Sequence, residues 1–324
     1  MRRLSPLDRL LDATVLLSFD ALGYRRHRKR FRPGDLDVDL TGRRIAVTGA
    51  NSGIGEATAR ALAERGATVE MLCRSKERGE AARDSIVAAT DNPDVRLELL
   101  DVSDFSSVRA AAARLSEGAP LDALLHNAGV LPSERQVTAD GHELTLATNL
   151  LGPLLLTHEL RDALRPGARL LLVTSGGMYP TKLSLDDWQH EATPFDGVKA
   201  YSRTKRGLVV LTEQLAARRP DLLVHAMHPG WAETPGVVSS LPGFHKVMAK
   251  DLRTSEEGAD TLVWLTVADE PTQSTGRLWF DRRAVATHYL PGTRASDALR
   301  AAFWERACRD CGLDPATACR LSDD

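Results

Sequence analysis

Arg43-Arg44-Ile45-Ala46-Val47-Thr48-Gly49-Ala50-Asn51-Ser52-Gly53-Ile54-Gly55-Glu56-Ala57-Thr58 opens with a short apolar run, turns on three glycines and continues as a helix through Arg65. Gly66 ends that helix, and Ala67 to Cys73 predicts a second strand. Working outward, a helix over Lys76–Ala89 is followed by a strand at Val95–Leu100 and a helix at Ser106–Leu115. Leu121–His126 and Leu170–Val173 are further short apolar strands, with a helix over Leu144–Leu164 between them. A long helix from Tyr201 to Arg219 leads into the strand Leu222–Met227. Continuous apolar strands separated by helices imply a parallel sheet covered on both faces. The handedness of such crossovers makes it a doubly wound, Rossmann-like α/β sheet of three layers. The predicted domain spans 43–290, with a helical and basic extension at 1–42 and a helical tail at 291–324.

Gly49, Gly53 and Gly55 lie between the first strand and the first helix. Glycine permits the tight turn and lets backbone N–H groups approach a pyrophosphate at the positive end of the helix. The spacing Gly-x₃-Gly-x-Gly differs from the usual Gly-x-Gly-x-x-Gly, so position after a strand and before a helix carries the reading. Cys73 and Arg74 stand at the end of the second strand, where an acid would bind the ribose hydroxyls of NAD(H). A guanidinium there pairs with a phosphate instead, which favours NADP(H).

Tyr201 and Lys205 are one helical turn apart and share a face. A free tyrosine, with a pKa near 10, is a poor proton donor or acceptor at neutral pH, and a nearby ammonium lowers that value. Ser175 follows an apolar strand, at the sheet edge where ligands gather, and its hydroxyl is placed to hold a carbonyl oxygen.

These motifs together resemble the short-chain dehydrogenase/reductase family. The matching residues are Thr48-Gly49-x₃-Gly53-x-Gly55, Asp101, Asn127-Ala128-Gly129, Asn149, Ser175, Tyr201-x₃-Lys205 and Pro229-Gly230-x₃-Thr234, in the family's order over about 43–235. Ser175-Gly176-Gly177-Met178, Thr193-Pro194-Phe195-Asp196-Gly197, the run from Met227 to Val237 and Pro242-Gly243-Phe244-His245 are similar to the family's member-twelve group. That likeness extends from the N-terminal extension through Asp281-Arg282.

The resemblance implies roles. Tyr201 is the catalytic acid in reduction, Lys205 bonds the nicotinamide ribose and lowers the tyrosine pKa, Ser175 polarises the carbonyl, and Asn149 holds a water joining Lys205 to solvent. Asp101 contacts the adenine amine with Val102 beside it, and Asn127, with Ala128 and Gly129, braces the sheet near the adenosine ribose. Pro229, Gly230 and Thr234 border the nicotinamide and pyrophosphate, while Asn51, Ser52 and Ile54 complete the glycine turn that Thr48 begins. The implied reaction interconverts a ketone or aldehyde and its alcohol, and Trp231, Pro235, Val237 and Phe244 suggest an apolar mouth for the substrate. Asn51-Ser52 lacks the basic residue many NADP-binding relatives carry, which leaves Arg74 with most of the 2′-phosphate recognition. Twenty-five residues separate Ser175 from Tyr201, and the insert Leu183–Val198, with Trp188 and Phe195, is either a cover for the site or a surface excursion.

Composition narrows the alternatives. The 324 residues are 43% hydrophobic and 27% charged, ordinary for a globular chain, with 42 basic against 44 acidic residues and a formal charge of −2. No global field marks a nucleic-acid binder. No run approaches the roughly 18 apolar residues of a membrane span. Four cysteines do not make a disulfide scaffold, so a reducing, cytoplasmic setting is expected. Cys308-x₂-Cys311-x₇-Cys319 lacks a fourth ligand for structural zinc and reads as packed or free thiols, with Cys308 and Cys311 on a helix over Asp297–Cys311.

Ser5-Pro6-Leu7-Asp8 reads as a helix start and Gly23 as its stop, followed by five positive charges between Arg25 and Arg30. Residues 1–32 are then either a membrane-surface element or a helix packed on the main domain with a solvated charged turn after it. The helices at Leu150–Leu164 and Ser202–Ala217 are the expected homodimer contact, by resemblance. A rival reading is an NADP(H)-binding sensor or scaffold without turnover, but a pure binder has no need of the Ser175, Asn149, Tyr201 and Lys205 relay. An epimerase of the extended family also uses Tyr-x₃-Lys, with a different glycine spacing.

Overall fold

Strand β1 (Arg44–Thr48) is buried along its whole length, as a central parallel strand must be. Around it run β2 (Thr68–Cys73), β3 (Val95–Leu99), β4 (Leu121–His126), β5 (Leu164–Val173), β6 (Leu223–Met227), β7 (Arg277–Phe280) and β8 (Arg283–Val285). They form one sheet in the order β3-β2-β1-β4-β5-β6-β7-β8. Every neighbouring pair is parallel except β7 and β8, which make an antiparallel edge. The computed structural model describes residues 18–233, 246, 248–249 and 251–321.

Helices cover both faces. In chain order they are α1 (Ala21–Arg28), α2 (Gly53–Ala63), α3 (Lys76–Thr90), α4 (Phe105–Ser116), α5 (Gly152–Glu159), α6 (Gly197–Arg218), α7 (Ser255–Val267) and α8 (Asp297–Asp310). One core layer joins the sheet to α4, α5, α6 and α8, and the other joins it to α2, α3 and α7. The strand order reverses between β1 and β4, so the glycine turn after β1 and Asn127 after β4 meet at a topological switch point.

Several expectations are corrected by tertiary constraints. The helix foreseen over Leu144–Leu164 is broken into a turn at Leu144–Leu146, a π turn at Ala147–Leu151 and α5. A Cβ on Gly152 would lie 2.1 Å from the Val102 carbonyl oxygen, so the chain is pinned there more closely than a uniform helix allows. β5 begins at Leu164 rather than Leu170, because Leu164 pairs with Leu121 ahead of a register shift that the apolar pattern does not show. α6 starts at Gly197, capped by the Asp196 side chain, which places Tyr201 in its second turn. Gly23 does not end a helix. It sits inside α1, where a Cβ would meet the Ser18 carbonyl oxygen at 2.2 Å. The predicted helix before it falls mostly outside the described residues. Arg25 to Arg28 are helical rather than a turn after the helix.

The C-terminal segment is part of the core rather than an appendage. Phe303 packs against Gly207 of α6 and, 5.9 Å away, against Trp188 of the insert. The Trp304 ring lies under the Arg218 guanidinium at 3.9 Å, and its Nε1 donates to the Pro315 carbonyl at 2.8 Å. The Cys311 thiol faces the Leu151 carbonyl, and the Cys319 N–H donates to His158 Nδ1. Cys308, Cys311 and Cys319 are buried, unbridged thiols whose titration burial pushes upward. The tail thus packs on part of the helices expected to meet a second copy. Trp188 donates to Asp310 at 2.8 Å, so the insert joins that cover and does not turn its tryptophan over the glycine turn. Trp264 and Trp279 are core residues.

Candidate active site

β1 ends at Thr48, whose hydroxyl accepts from the N–H groups of Asn127 (2.9 Å) and Ala128 (3.0 Å). Asn127 returns the bond: its Nδ2 donates to the carbonyls of Thr48 (3.0 Å) and Gly49 (3.2 Å). Thr48 and Asn127 are thus braces that hold the turn open. Gly49 and Gly53 have φ of +66° and +56°, in the region that favours glycine. Gly55 has a different reason to lack a side chain, since a Cβ there would lie 2.1 Å from the Gly49 carbonyl oxygen. Ser52 is the N-cap of α2, exposed and without a side-chain capping bond, while Ile54 is buried beneath and Asn51 half-buried beside it. The first-turn N–H groups are thus left for another acceptor, and a pyrophosphate fits that donor set.

At the far end of this groove Cys73 is buried, and burial pushes its thiol up to about 11. Arg74 is exposed, with Nη1 3.9 Å from Asp101 Oδ2. The other Asp101 oxygen accepts from the Ser103 N–H and hydroxyl at 2.9 and 2.7 Å, so one carboxylate oxygen and the guanidinium face outward together. Val102 is buried and contributes its carbonyl to the close approach of Gly152.

Ser175 follows β5 and accepts from Gly177 N–H at 3.3 Å as it enters a short 3₁₀ turn. Its hydroxyl stands beside the Tyr201 side chain and favours the ionised form of that phenol. Lys205 Nζ lies 5.4 Å from the Tyr201 ring centre and donates to the Val173 carbonyl at 2.8 Å. Thr174, not foreseen from the sequence, clamps this helix turn by donating to the Lys205 carbonyl at 2.6 Å. Gly129 has no side chain to keep Lys205 and Asn149 apart: a Cβ there would be 3.3 Å from Nζ and 3.4 Å from Asn149 Oδ1.

The Asn149 carboxamide accepts from Val130 N–H at 2.8 Å and donates to the Val130 carbonyl and Thr204 hydroxyl at 3.0 and 3.2 Å. It braces the loop after β4. Burial raises Tyr201 above its usual value, opposed by Ser175, and burial lowers Lys205 to about 8.

Pro229 and Gly230 leave β6 at the same edge, Gly230 with φ +75°. Thr234, Pro235, Val237, Phe244 and His245 lie outside the described residues. Trp231 is half-buried. His228 is fully buried, stacked on Phe280 at 4.1 Å, and burial holds its ring down to about 3. Among the described residues, no group of histidine, cysteine and acidic side chains could hold a metal ion.

A family model described as "Enoyl-(Acyl carrier protein) reductase" matches residues 49–263, the glycine turn through α7. The chain is 41% identical over 289 residues to human "Dehydrogenase/reductase SDR family member 12", covering 88% of this chain and 91% of that protein. It belongs to the short-chain dehydrogenase/reductase family. Retinol dehydrogenase 12 of Bos taurus is 35% identical over 309 residues, which cover 93% of this chain and 96% of that one. A crystal structure of a Mycobacterium paratuberculosis protein superposes with a TM-score of 0.69 at 28% identity, over 86% of this chain and 96% of the other. Members of the short-chain dehydrogenase/reductase family are oxidoreductases that use a nicotinamide cofactor, and the three-layer α/β sheet described above is theirs. Among the described residues, no helix of this member is long and apolar enough to cross a membrane.

Proposed function

We propose that this chain is an NADP(H)-dependent reductase of apolar ketones or aldehydes, reversible to the alcohol. The observation that carries the reading is the placement of Tyr201 beside Ser175, with Lys205 Nζ 5.4 Å from its ring centre, at the sheet edge that also carries the glycine turn. Bound along that edge, the dinucleotide supplies the hydride. Ser175 donates to the substrate carbonyl oxygen and holds it against Tyr201, whose hydroxyl gives up its proton as the carbon is reduced. The phenolate left behind is stabilised by the Lys205 ammonium, and the Asn149 brace keeps that ammonium in place through Gly129. Thr48, Asn127, Ala128 and the Gly49–Gly55 turn hold the pyrophosphate side, with Pro229, Gly230 and Thr234 toward the nicotinamide.

Arg74 is the proposed reader of the 2′-phosphate, with Asp101 beside it. The test is titration of NADPH and NADH into purified protein, followed by energy transfer from tryptophan. Arg74→Ala is expected to weaken NADPH by about 10–100-fold, the worth of a charge-assisted bond, and to leave NADH unchanged. Tight NADH binding that ignores the substitution would sink the cofactor assignment.

The proposed relay uses Lys205 as a cation, and its value of about 8 sets the window. Below that pH the ammonium is present, and it is lost as pH rises through it. The kcat/KM for reduction is therefore expected to fall by about tenfold per unit above that point. A profile flat to about pH 10 would remove the lysine from the relay.

The outer face of α1 carries exposed Leu22, Arg25 and Arg28. We propose that it meets anionic lipid, with residues 1–17 ahead of it, in a cytoplasmic setting. Flotation with phosphatidylserine vesicles, comparing wild type with Arg25→Glu/Arg28→Glu and with a deletion of residues 2–17, tests this, and equal flotation of all three counts against it. The deletion stops at 17 because residues 18–28 are built into the fold.

A further inference from the structure

Nothing in the local pattern of residues 18–28 marks them as part of a site, yet the chain threads them to the edge where Ser175 sits. The Phe19 ring lies against Gly176, so closely that a Cβ there would meet Phe19 Cε2 at 2.4 Å. The same ring is 4.7 Å from His228, 5.1 Å from Phe280 and 6.0 Å from Trp231, the last edge-on. Its carbonyl accepts from Trp231 N–H at 2.8 Å. Gly230 adds a second close approach, since a Cβ would lie 2.6 Å from both the Phe19 oxygen and Arg253 Nε.

A buried ion cluster holds this hook down. Arg253, 1% exposed, donates to the carbonyls of Ser18 (2.9 Å), Asp20 (3.1 Å) and Pro229 (3.3 Å). Its guanidinium also grips both oxygens of Asp281, at 2.6 and 2.9 Å, while His27 Nδ1 is 2.6 Å from Asp281 Oδ2. Asp281 and Arg282 form the two-residue turn between β7 and β8 with φ of +46° and +57°. Such a turn usually takes Asn-Gly, and two larger side chains in left-handed conformation store strain. Bidentate pairs oppose it, Asp281 to Arg253 and Arg282 to Asp260 at 2.8 and 2.6 Å. The Asp281-Arg282 motif is thus tied through one guanidinium to the N-terminal hook and to Pro229.

We infer that Phe19 is a positioning residue that sets substrate specificity: anchored by Arg253 and Asp281, its ring fixes the Gly176 side of Ser175 and the placement of Trp231. This rests on the reductase reading for what enters the site, but the positioning itself does not. Two measurements separate them. The first is amide hydrogen exchange in Phe19→Ala and Phe19→Leu, read over residues 175–179, 228–231 and 48–56. Phe19→Ala is expected to speed exchange in the first two segments by about tenfold and Phe19→Leu by about threefold, with 48–56 unchanged. Should the alanine variant fail to fold, the leucine variant decides alone. Unchanged exchange in both segments, or a uniform rise in all three, overturns the proposal whatever the activity.

The second is NADPH-dependent reduction of hexanal and decanal. Phe19→Ala is expected to keep NADPH affinity within about twofold and kcat within about threefold, and to raise KM for decanal about tenfold more than for hexanal. An equal change for both aldehydes overturns the specificity role. No turnover by wild type with either would count against the reductase reading, leaving exchange to decide the position of the ring.

Discussion

Tyr201→Phe is expected to bind NADPH as wild type does and to lose carbonyl reduction by about a thousandfold. Only the hydroxyl is removed. The ring keeps its place beside Lys205, and neither the glycine turn nor Arg74 contacts it among the hydrogen bonds described. A positioned general acid contributes roughly 10²–10⁴ in rate, and here no second acid stands ready: Ser175 is the neighbour, with a far weaker tendency to release a proton. The signature that separates a catalytic loss from a folding loss is unchanged energy transfer to bound NADPH alongside vanished oxidation of it. Residual turnover above about a tenth of wild type would mean that the proton comes from elsewhere, and the proposed chemistry would fall.

Trp304→Ala is expected to cost about 3–5 kcal/mol, the usual penalty for removing a large buried aromatic. Trp304 is 2% exposed, carries the Arg218 guanidinium on its face and satisfies its N–H on Pro315. Truncation leaves a cavity, an unpaired carbonyl and an uncovered arginine stem at once. Ending the chain at Pro291 goes further, because the faces of α5 and α6 lose Phe303, Trp304 and the buried thiols together. Both helices are leucine-rich, with Leu154, Leu155 and Leu156 of α5 at 0% exposure, and the surface uncovered should then associate with another copy or fail to fold. Urea denaturation measures the first effect, and light scattering of the shortened chain against the full one measures the second. A loss below about 1 kcal/mol, or a shortened chain that is monomeric and stable, would show that the tail does not hold this layer.

How much of this was legible beforehand varies with the range of the forces involved. The strands β1, β2, β3, β4 and β6 lie within a residue or so of their predicted bounds, because each is a short apolar run closed by glycine, a charge or a polar turn. The glycine turn was readable for the same reason, although the spacing could not say that Gly55 is needed against Gly49 itself. Tyr201, Lys205 and Ser175 were brought together as foreseen. Only the folded loop shows that the Asn149 carboxamide also braces Val130. The π turn around it and the early start of β5 were missed because both depend on contacts with Val102 and Leu121, distant in sequence.

The hook and the tail were the least legible parts. Composition at residues 18–28 reads as a basic, weakly amphipathic helix, and nothing local says that Arg253 and Asp281, more than two hundred residues on, will bury it. The C-terminal helix likewise looks like a decoration until its phenylalanine and tryptophan are seen inside the core. By itself the sequence determined the α/β alternation and the family, and it named the residues proposed for acid–base work, since these rest on short-range periodicity and on side-chain chemistry that travels with the residue. Tertiary structure alone decided which surfaces are closed, which polar groups are already spent and what stands next to Ser175. Those are matters of long-range packing and hydrogen-bond saturation, in which a group's role depends on partners that no window of neighbouring residues contains.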